Sequence, residues 1–318
     1  MIQSHPSWQI IDSTKIKAYM DCPRAYFYEY ILGWRGEQPN IHLEFGKAWH
    51  FAMEHLLLHG TSPESIADAW MLLSDYYRQF WGPEWDESNH PKTPGNALLG
   101  LQRYAEEYPH DKQIVLYTEI AGRVAVDARR VLHFRMDSLL QMEDGLIRSR
   151  EHKTGTALSR TWVDQWSLSV QTGTYTHVQH CLYPPEQVWG VEINGTFFSK
   201  KDFKFQRVPV RRTLPMMRDW HWTVLQYMDF IEWDIKRMQE ECKESDPVMM
   251  CFTKNTENCT KYFGCRYHDF CMAWPNPLQR VDEIPQGMKI EWWDPSAEES
   301  KAKKVFDFTK PIISKIDL

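Results

Sequence analysis

Two short β-type segments separated by a turn constrain the fold of this chain more than any other feature. The segment RVLHFRMDSLLQ carries Asp137, and the segment LIRSREHKTGT carries Glu151 and Lys153. The sequence EDG at 143–145 is typical of a tight hairpin turn, so the two segments are predicted to be neighbouring strands. This pairing brings two carboxylates and one ammonium group onto adjacent strands.

The charged groups on these strands predict a site for a divalent cation. Mg²⁺ and Mn²⁺ are hard cations that prefer oxygen ligands, so Asp137 and Glu151 are candidate metal ligands. Lys153 is suited to hold or polarise an attacking water, or to stabilise the charge that develops when a phosphodiester is cut. The alternative interpretation is an ordinary amphipathic hairpin whose charged side chains face water.

Length and composition predict a soluble protein with a substantial core. The 318 residues suffice for one large domain or two small ones, and 42% of them are hydrophobic. The N-terminal sequence MIQSHPSWQIIDSTK lacks the basic and then apolar segments of a signal peptide. No apolar run approaches the roughly 18–20 residues that a membrane-spanning helix needs. We therefore expect a cytoplasmic protein that has no membrane partner.

The distribution of charge bears on nucleic-acid binding. The net charge of −6 argues against a domain that coats nucleic acid regardless of sequence, because such domains are usually basic. A nuclease with an acidic metal site would instead need a local basic strip, and the segment 199–218 is the first candidate. Its basic residues are Lys200, Lys201, Lys204, Arg207, Arg211, Arg212 and Arg218. Arg148 and Arg150 are the second candidate, and a solvated basic loop is the alternative for the first.

Hydrophobic periodicity and turn residues predict an α/β fold. Helices are expected to begin at Ser13, at Pro23 and after Pro63, and to extend over 45–58, 161–182 and 216–243. Strands are expected over 114–126, 131–141, 146–153 and 188–198, and a loop rich in Pro, Gly and Asn over 82–96. This order predicts an α/β core with a helical N-terminal extension, followed by a tail from Pro275.

The cysteines predict a metal site. They are Cys22, Cys181, Cys242, Cys251, Cys259, Cys265 and Cys271. The last four fall within 21 residues, and disulfides are unlikely in a chain without an export signal. Four thiolates hold either an iron–sulfur cluster or a tetrahedral Zn²⁺. Cys251 and His268 are spare candidate ligands, whereas Cys181 and Cys242 are interpreted as helix-buried thiols.

Six motifs follow one another along the chain in an order that resembles a known family. They are Cys22-Pro23-Arg24, Gly46 with His50, Asp137, Glu151 with Lys153, Gln171 with Tyr175, and Cys259-x5-Cys265-x5-Cys271. Over residues 13–271 the chain resembles the PD-(D/E)xK nuclease superfamily, and within it the RecB-like and CRISPR-adaptation-type nucleases. It departs from those relatives in two places: the usual Gly just before Asp137 is absent, and a five-residue gap replaces their usual Cys-x2-Cys.

The resemblance implies a fold and a set of site residues. The implied fold is a restriction-endonuclease-like core, in which helices flank a central mixed sheet, with a C-terminal Cys-rich metal staple. The implied metal ligands are His50, Asp137, Glu151 and the backbone carbonyl of His152. The implied catalytic residues are Asp137, Glu151, Lys153, Gln171 and Tyr175. Cys22, Cys259, Cys265 and Cys271 are the implied ligands of a 4Fe–4S cluster, with Zn²⁺ as the alternative, and Glu119 is implied to lie near the catalytic Asp.

The resemblance also implies a function and a domain organisation. The function is a Mg²⁺- or Mn²⁺-dependent deoxyribonuclease, more specifically an exonuclease of DNA recombination, DNA repair or phage DNA processing. The implied substrate is DNA, and the implied protein partner is a recombinase, an annealing protein or a helicase. The resemblance leaves open whether the protein forms an oligomer. The alternative is a catalytically silent DNA-binding or scaffolding module of the same fold. No Gly-x-x-x-x-Gly-Lys-(Ser/Thr) motif is present, which excludes an NTP-driven motor of that type.

One nuclease domain is expected over residues 1–274. Its helical part is 1–112, its catalytic α/β core is 113–243 and its Cys-rich segment is 251–271. The remaining residues, 275–318, are expected to form a C-terminal tail.

Overall fold

Helices occupy most of the N-terminal third of the chain and reappear between and after the strands. The computed structural model describes residues 2–109, 111–200, 202–261 and 264–308. The helices are α1 (Ser13–Asp21), α2 (Pro23–Tyr26), α3 (Ile41–His59), α4 (Pro63–Tyr77), α5 (Asp86–Asn89), α6 (Pro94–Glu107), α7 (Arg160–Asp164), α8 (Val170–Leu182), α9 (Leu214–Glu240) and α10 (His268–Ala273). Within those ranges no helix combines the length and the apolar character that crossing a membrane requires.

The strands form one large mixed sheet and one small sheet. They are β1 (Trp34–Gly36), β2 (Gln113–Ala125), β3 (Val131–Met142), β4 (Ile147–Gly155), β5 (Val188–Phe198), β6 (Phe203–Val210), β7 (Met288–Ile290) and β8 (Lys304–Phe308). The described strands pair as a six-stranded sheet of order β6-β5-β4-β3-β2-β8 and a two-stranded sheet of β1 and β7. The β4–β5 and β2–β8 pairs are parallel and the other pairs are antiparallel. The predicted mixed sheet flanked by helices is confirmed.

The turn between β3 and β4 is the hairpin that the sequence predicts. Gly145 has a φ of 81°, a left-handed conformation that glycine adopts without steric cost. Its N–H donates to the carbonyl of Met142 at 2.9 Å and closes the turn. In the ladder Ser138 lies opposite Arg150. This register brings the Asp and the Glu of the predicted cation site onto neighbouring positions of two adjacent strands.

The parallel pairing of β4 and β5 determines where the next helices lie. Parallel neighbours need a crossover connection, and residues 156–187, which include α7 and α8, provide it. α8 contacts both β5 and β3. A helix is thereby packed directly against the strands that carry the predicted site.

Two buried clusters provide the core of the protein. One joins side chains of α1, α8 and α9 to sheet residues such as Ile120 and Met136. The other is built mainly from α3, α4 and α6 and includes Phe198 of β5. α3 also contacts β2 and β4. Each cluster thus provides one helix that contacts the β3–β4 hairpin. α8 of the first cluster contacts β3, and α3 of the second cluster contacts β4.

Local hydrogen bonds correct two boundaries predicted from the sequence. The helix expected over 161–182 is divided into α7 and α8, and Thr172 Oγ1 donates to the carbonyl of Trp166 at 2.8 Å across the break. The loop expected over 82–96 contains α5 and the start of α6. Pro94 occupies the first turn of α6, and Thr93 Oγ1 accepts from the Asn96 N–H at 3.3 Å. Pro94 and Asn96, which contribute to the loop prediction, thus lie in the first turn of a helix.

A strand occupies the middle of the segment 199–218, which the sequence predicts to be a basic strip or a loop. β6 pairs with β5 from Phe203 opposite Phe198 to Val210 opposite Val191. The loop alternative is therefore wrong for 203–210, because backbone pairing with a buried strand overrides the charge of the segment. Lys201 lies outside the described residues.

The segment after Pro275 contributes strands to both sheets. β7 pairs with β1, and β8 adds a parallel strand beside β2. Trp293 Nε1 donates at 2.9 Å to Asp12, the residue that caps α1. The described residues up to 308 are thus joined to distant parts of the fold. The division into a domain over 1–274 and a tail over 275–318 stays a prediction, and 309–318 lie outside the described residues.

Candidate active site

The β3–β4 hairpin brings together the acid–lysine set that the sequence predicts. Asp137 and Glu151 are largely buried, with side chains 13% and 5% exposed. Lys153 Nζ lies 2.8 Å from Glu151 Oε1. Asp137 Oδ2 accepts a hydrogen bond of 2.7 Å from the backbone N–H of His152. The two strands are therefore linked at the site by a side chain of one and the backbone of the other.

α3 supplies a histidine to the same site. His50 Nδ1 lies 3.1 Å from Asp137 Oδ1. The two oxygens of the Asp137 carboxylate are thus occupied by different elements, α3 and β4. Glu54, one turn after His50 on α3, forms an ion pair of 2.8 Å with Lys303. The predicted neighbourhood of His50, Asp137 and the Glu-x-Lys strand is present.

α8 contributes Gln171 and Tyr175 to the site. Their i, i+4 spacing predicts that both side chains lie on one face of the helix. Gln171 Nε2 donates to Glu151 Oε1 at 3.2 Å and to the Tyr175 hydroxyl at 2.8 Å. The Tyr175 hydroxyl in turn donates to the backbone carbonyl of Arg135 on β3. This chain of hydrogen bonds fixes the Glu151 carboxylate relative to the strand that carries the Asp.

The electrostatics of the site separate the two carboxylates. Burial raises the pKa of Asp137, but the charge and the hydrogen bond of His50 outweigh burial and hold that pKa well below its usual value. Burial and then the nearby charge of Asp137 raise the pKa of Glu151. Asp137 is therefore the more firmly ionised of the two carboxylates. A further cation beside Glu151 would stabilise its ionised form.

The donor set suits a hard cation, although the side chains engage one another. Among the residues that the structure describes, no group of three or more His, Cys, Asp or Glu is arranged to hold a metal ion. Instead, His50 pairs with an oxygen of Asp137, and Lys153 pairs with an oxygen of Glu151. A bound cation would use these same carboxylates. Glu151 Oε2 is buried and has no hydrogen-bond partner. An unpaired buried carboxylate oxygen beside a second carboxylate and an imidazole fits Mg²⁺ or Mn²⁺.

His152 is anchored by a residue that the sequence analysis did not single out. Asn194 Nδ2 lies 3.0 Å from His152 Nδ1 and 2.8 Å from the hydroxyl of Tyr104. His152 and Asn194 are both buried, and burial lowers the pKa of His152 to about 3. The imidazole is therefore neutral, and it holds the backbone whose N–H binds Asp137. No sequence signal identifies Asn194, because it becomes adjacent to His152 only when β4 and β5 pair.

The C-terminal segment supplies charged partners along one edge of the site. Arg135 donates to Glu119 Oε2 from Nη2 at 2.6 Å, and it also pairs with Glu298. Glu119 has a φ of 45°, and its carbonyl accepts from the Lys303 N–H at 2.9 Å, just before β8 begins. Burial, followed by the charge of Asp137, raises the pKa of Glu119. The sequence placed Glu119 near the site but missed its partners, which are Arg135 on the neighbouring strand β3 and the distant Lys303.

Three arginines of the candidate basic strips form ion pairs within the fold. Arg150 is 2% exposed and lies 2.7 Å from Glu192 and 2.9 Å from Asp111. Arg148 pairs with Glu192, and Arg207 pairs with Asp111. These arginines neutralise carboxylates rather than face a phosphate track, so that interpretation is wrong for them. The exposed cations of the segment 199–218 include Lys200, Lys204 and Arg211.

The cysteines of the predicted staple lie in neighbouring parts of the fold. The backbone N–H of Asn255 lies 3.4 Å from Cys22 Sγ, and its side chain donates to the carbonyl of Asp21 at 3.0 Å. Burial raises the pKa of Cys265 and of Cys271, and the proximity of Cys22 adds to both shifts. Since no metal-holding group is found among the described residues, the Cys22, Cys259, Cys265 and Cys271 site stays a prediction.

The spare thiols and the spare histidine have other surroundings. His268 lies 3.2 Å from Asp269, and Cys251 lies 3.5 Å from Cys242, sulfur to sulfur. Cys181 and Cys242 are half-buried rather than fully buried. Cys242 also falls just beyond the end of α9 instead of within it.

Comparisons with known proteins agree with this geometry. The mixed sheet and the acid–lysine hairpin define an α/β protein with a nuclease type of site. A family model of the PD-(D/E)XK nuclease superfamily matches residues 13–272, and the chain belongs to this superfamily. Its members are typically phosphodiesterases and usually use Mg²⁺ or Mn²⁺.

The crystal structure of SSO0001 is similar at 10% sequence identity, covering 71% of this chain and 78% of that chain, with a TM-score of 0.33. No curated protein matches the sequence.

Replacing Asn194 tests whether it supports His152. The Asn194→Ala variant removes the partner of the buried His152 Nδ1 and one hydrogen bond of the Tyr104 hydroxyl, which keeps its bond from Arg207. The loss lowers the free energy of unfolding by about 1–3 kcal/mol. Chemical denaturation measures this change. Gln187→Ala, at an exposed position just before β5, is the matched control and changes the free energy by less than about 0.5 kcal/mol. Equal effects of the two substitutions would contradict the role of Asn194.

Proposed function

We propose that this protein is a Mg²⁺- or Mn²⁺-dependent deoxyribonuclease, and more specifically an exonuclease. The observation that carries the proposal is the convergence of His50, Asp137, Glu151 and Lys153 from α3, β3 and β4 at one point. Membership of a nuclease superfamily supports hydrolysis of phosphodiester bonds. The exonuclease assignment rests on the resemblance to RecB-like nucleases.

His50, Asp137, Glu151 and the backbone carbonyl of His152 would hold the cation. When bound, Mg²⁺ or Mn²⁺ lowers the pKa of a coordinated water and neutralises the charge of the scissile phosphate. Glu151 Oε2, which is buried and has no hydrogen-bond partner, is the oxygen best placed to become a ligand. Its ligation would also relieve the repulsion between the two carboxylates that raises the pKa of Glu151.

The remaining side chains orient the reacting groups. Lys153 is half-buried beside Glu151. Burial lowers its pKa, but the charges of Glu151 and Asp137 outweigh that effect, raise the pKa and keep the ammonium group charged. It can therefore donate hydrogen bonds to the attacking water or to a phosphate oxygen. Gln171 and Tyr175 hold Glu151 against β3. In this proposal they also position the DNA backbone.

The second candidate function is a silent DNA-binding or scaffolding module that acts with a recombinase, annealing protein or helicase. The two largely buried carboxylates argue against it. A module without catalysis has no need to bury Asp137 and Glu151 side by side, since burial of charges costs stability unless they are paired. Partners of this kind remain part of the proposal for either function.

A cysteine-ligated cofactor is the last part of the proposal. We propose that Cys22, Cys259, Cys265 and Cys271 hold a 4Fe–4S cluster, with Zn²⁺ as the alternative. The contact between Cys22 and the backbone of Asn255 supports it, because it brings the first cysteine to the segment that carries the others. Four thiolates joined in this way would tie the N-terminal helices to the C-terminal segment.

Cleavage of DNA by matched variants tests the nuclease proposal. Glu151→Gln keeps the shape of the side chain but removes its charge, so the rate of cleavage should fall by about 10³-fold or more. Glu186→Gln, which is exposed, is the matched control and should leave the rate unchanged. The substrates are end-labelled linear DNA and covalently closed DNA, each with Mg²⁺, with Mn²⁺ or with EDTA.

The outcomes separate the candidate functions. Metal-dependent loss of linear DNA alone supports an exonuclease, whereas cutting of both forms makes the protein an endonuclease. If the Glu151→Gln variant cuts as fast as the unmutated protein, the assigned site is wrong. If neither protein cuts, and circular dichroism shows both to be folded, the silent module becomes the better account.

Elemental analysis tests the cysteine site. Anaerobically purified protein should contain about four iron atoms and labile sulfide per chain for a 4Fe–4S cluster, or about one zinc ion for the alternative. The Cys271→Ala variant should lose most of this metal, and the Cys181→Ala variant should keep it. Unmutated protein that carries neither iron nor zinc would overturn this part of the proposal.

A further inference from the structure

Two thiols outside the proposed cofactor site lie in contact. The sulfur atoms of Cys242 and Cys251 are 3.5 Å apart. Neither residue belongs to the acid–lysine site or to the four cysteines proposed as cofactor ligands. Two neighbouring thiols are the reduced form of a disulfide, provided that the chain holds them together and that an oxidant can reach one of them.

The backbone beside Cys242 is fixed by the end of α9. Its N–H donates to the carbonyl of Arg237 at 3.1 Å, and the neighbouring Glu241 N–H donates to the same carbonyl at 2.9 Å. Cys242 therefore closes the last turn of a long helix. Its side chain is half-buried, so the sulfur has room to rotate.

The backbone beside Cys251 is fixed by a different element. Arg24 Nε donates to the carbonyl of Phe252 at 3.0 Å, and the backbone N–H of Arg24 donates to the carbonyl of Thr253 at 3.1 Å. The N–H of Met249 donates to the carbonyl of Pro275 at 3.2 Å. Cys251 is thus tied to α2 on one side and to the start of the C-terminal segment on the other. The backbone at Cys242 and the backbone near Cys251 are thus held by separate sets of hydrogen bonds, which together keep the two sulfurs in contact.

The two thiols differ in their access to solvent. Cys242 lines a surface cavity of about 480 Å³ together with Met238, Lys243 and Leu278. Cys251 is 1% exposed and is not among the residues that line this cavity. The cavity admits part of a small molecule to the sulfur of Cys242 but not to that of Cys251. Exchange would therefore begin at Cys242 and be completed by Cys251.

We propose that Cys242 and Cys251 form a reversible intramolecular disulfide by exchange with a small-molecule disulfide. The Cys242 thiol loses its proton to water, and the thiolate attacks one sulfur of the small disulfide and expels the other half as a thiolate. The Cys251 thiol then loses its proton and attacks Cys242 Sγ, which expels the second half. The two cysteines together lose two electrons, and the small disulfide is reduced to two thiols.

The geometry requires only a small rearrangement. A disulfide bond is about 2.05 Å long, so the sulfurs must approach by roughly 1.5 Å from the observed 3.5 Å. Rotation of the half-buried Cys242 side chain supplies this movement. Burial and the hydrogen bond with Cys242 raise the pKa of Cys251, so its thiol stays protonated and exchange begins at the more accessible Cys242. The bond would clamp the end of α9 to the Cys-rich segment.

Peptide mapping tests the proposal directly. The folded full-length protein, with any bound metal retained, is treated with oxidised glutathione, its free thiols are alkylated, and it is digested with trypsin without reductant. Cleavage after Arg237, Lys243 and Lys254 separates the two cysteines into peptides 238–243 and 244–254. We expect these peptides to be recovered as one disulfide-linked species, which reduced glutathione converts back. The thermal unfolding midpoint should rise by about 5 °C on oxidation.

Two variants control this measurement. Cys242→Ser should lose both the linked peptides and the rise in midpoint, whereas Cys181→Ser, at another half-buried cysteine, should keep both. If Cys242→Ser does not fold, the peptide map of the unmutated protein still decides the question. Recovery of Cys251 as a free thiol, or linked to any cysteine other than Cys242, would overturn the proposal.

Discussion

The burial of two carboxylates on one β-hairpin is the constraint on which the rest of this structure depends. Asp137 and Glu151 lie on adjacent strands with side chains only 13% and 5% exposed. Charges removed from water in this way cost several kcal/mol unless they are paired. His50 from α3, Lys153 from β4 and Gln171 from α8 provide the pairing. Packing of α3 and α8 against the hairpin is therefore both a structural and an electrostatic requirement.

A second layer of charge pairs connects the hairpin to the C-terminal segment. Arg135, which precedes Asp137 by two residues, pairs with Glu119 and with Glu298. Lys303 pairs with Glu54 through its side chain and binds the carbonyl of Glu119 through its backbone. Arg135 thus neutralises Glu119 from within β3, and Lys303 neutralises Glu54 from the C-terminal segment. The segment from Pro275 is part of the architecture of the site.

The parts of the site that the sequence predicted are those specified by local spacing. The hairpin follows from Gly145 and its flanking β-type segments, and the pairing of Gln171 with Tyr175 follows from helical periodicity. What the sequence could not provide depends on contacts between distant segments, such as β8 beside β2 and Asn194 beside His152. Arg148 and Arg150 on β4 are a further example, because both pair with Glu192 on β5. A basic run in the sequence does not reveal which acidic residues it contacts after folding.

Binding of Mn²⁺, measured by isothermal titration calorimetry, tests the central claim most directly, because it requires no assumption about the DNA substrate. The account predicts saturable binding to the unmutated protein and to Asp164→Asn, a control at a side chain that is 63% exposed. It predicts that Asp137→Asn, shown by circular dichroism to be folded, loses this binding. Equally tight binding of Mn²⁺ to the Asp137→Asn variant would contradict the claim that the β3–β4 hairpin is the metal site.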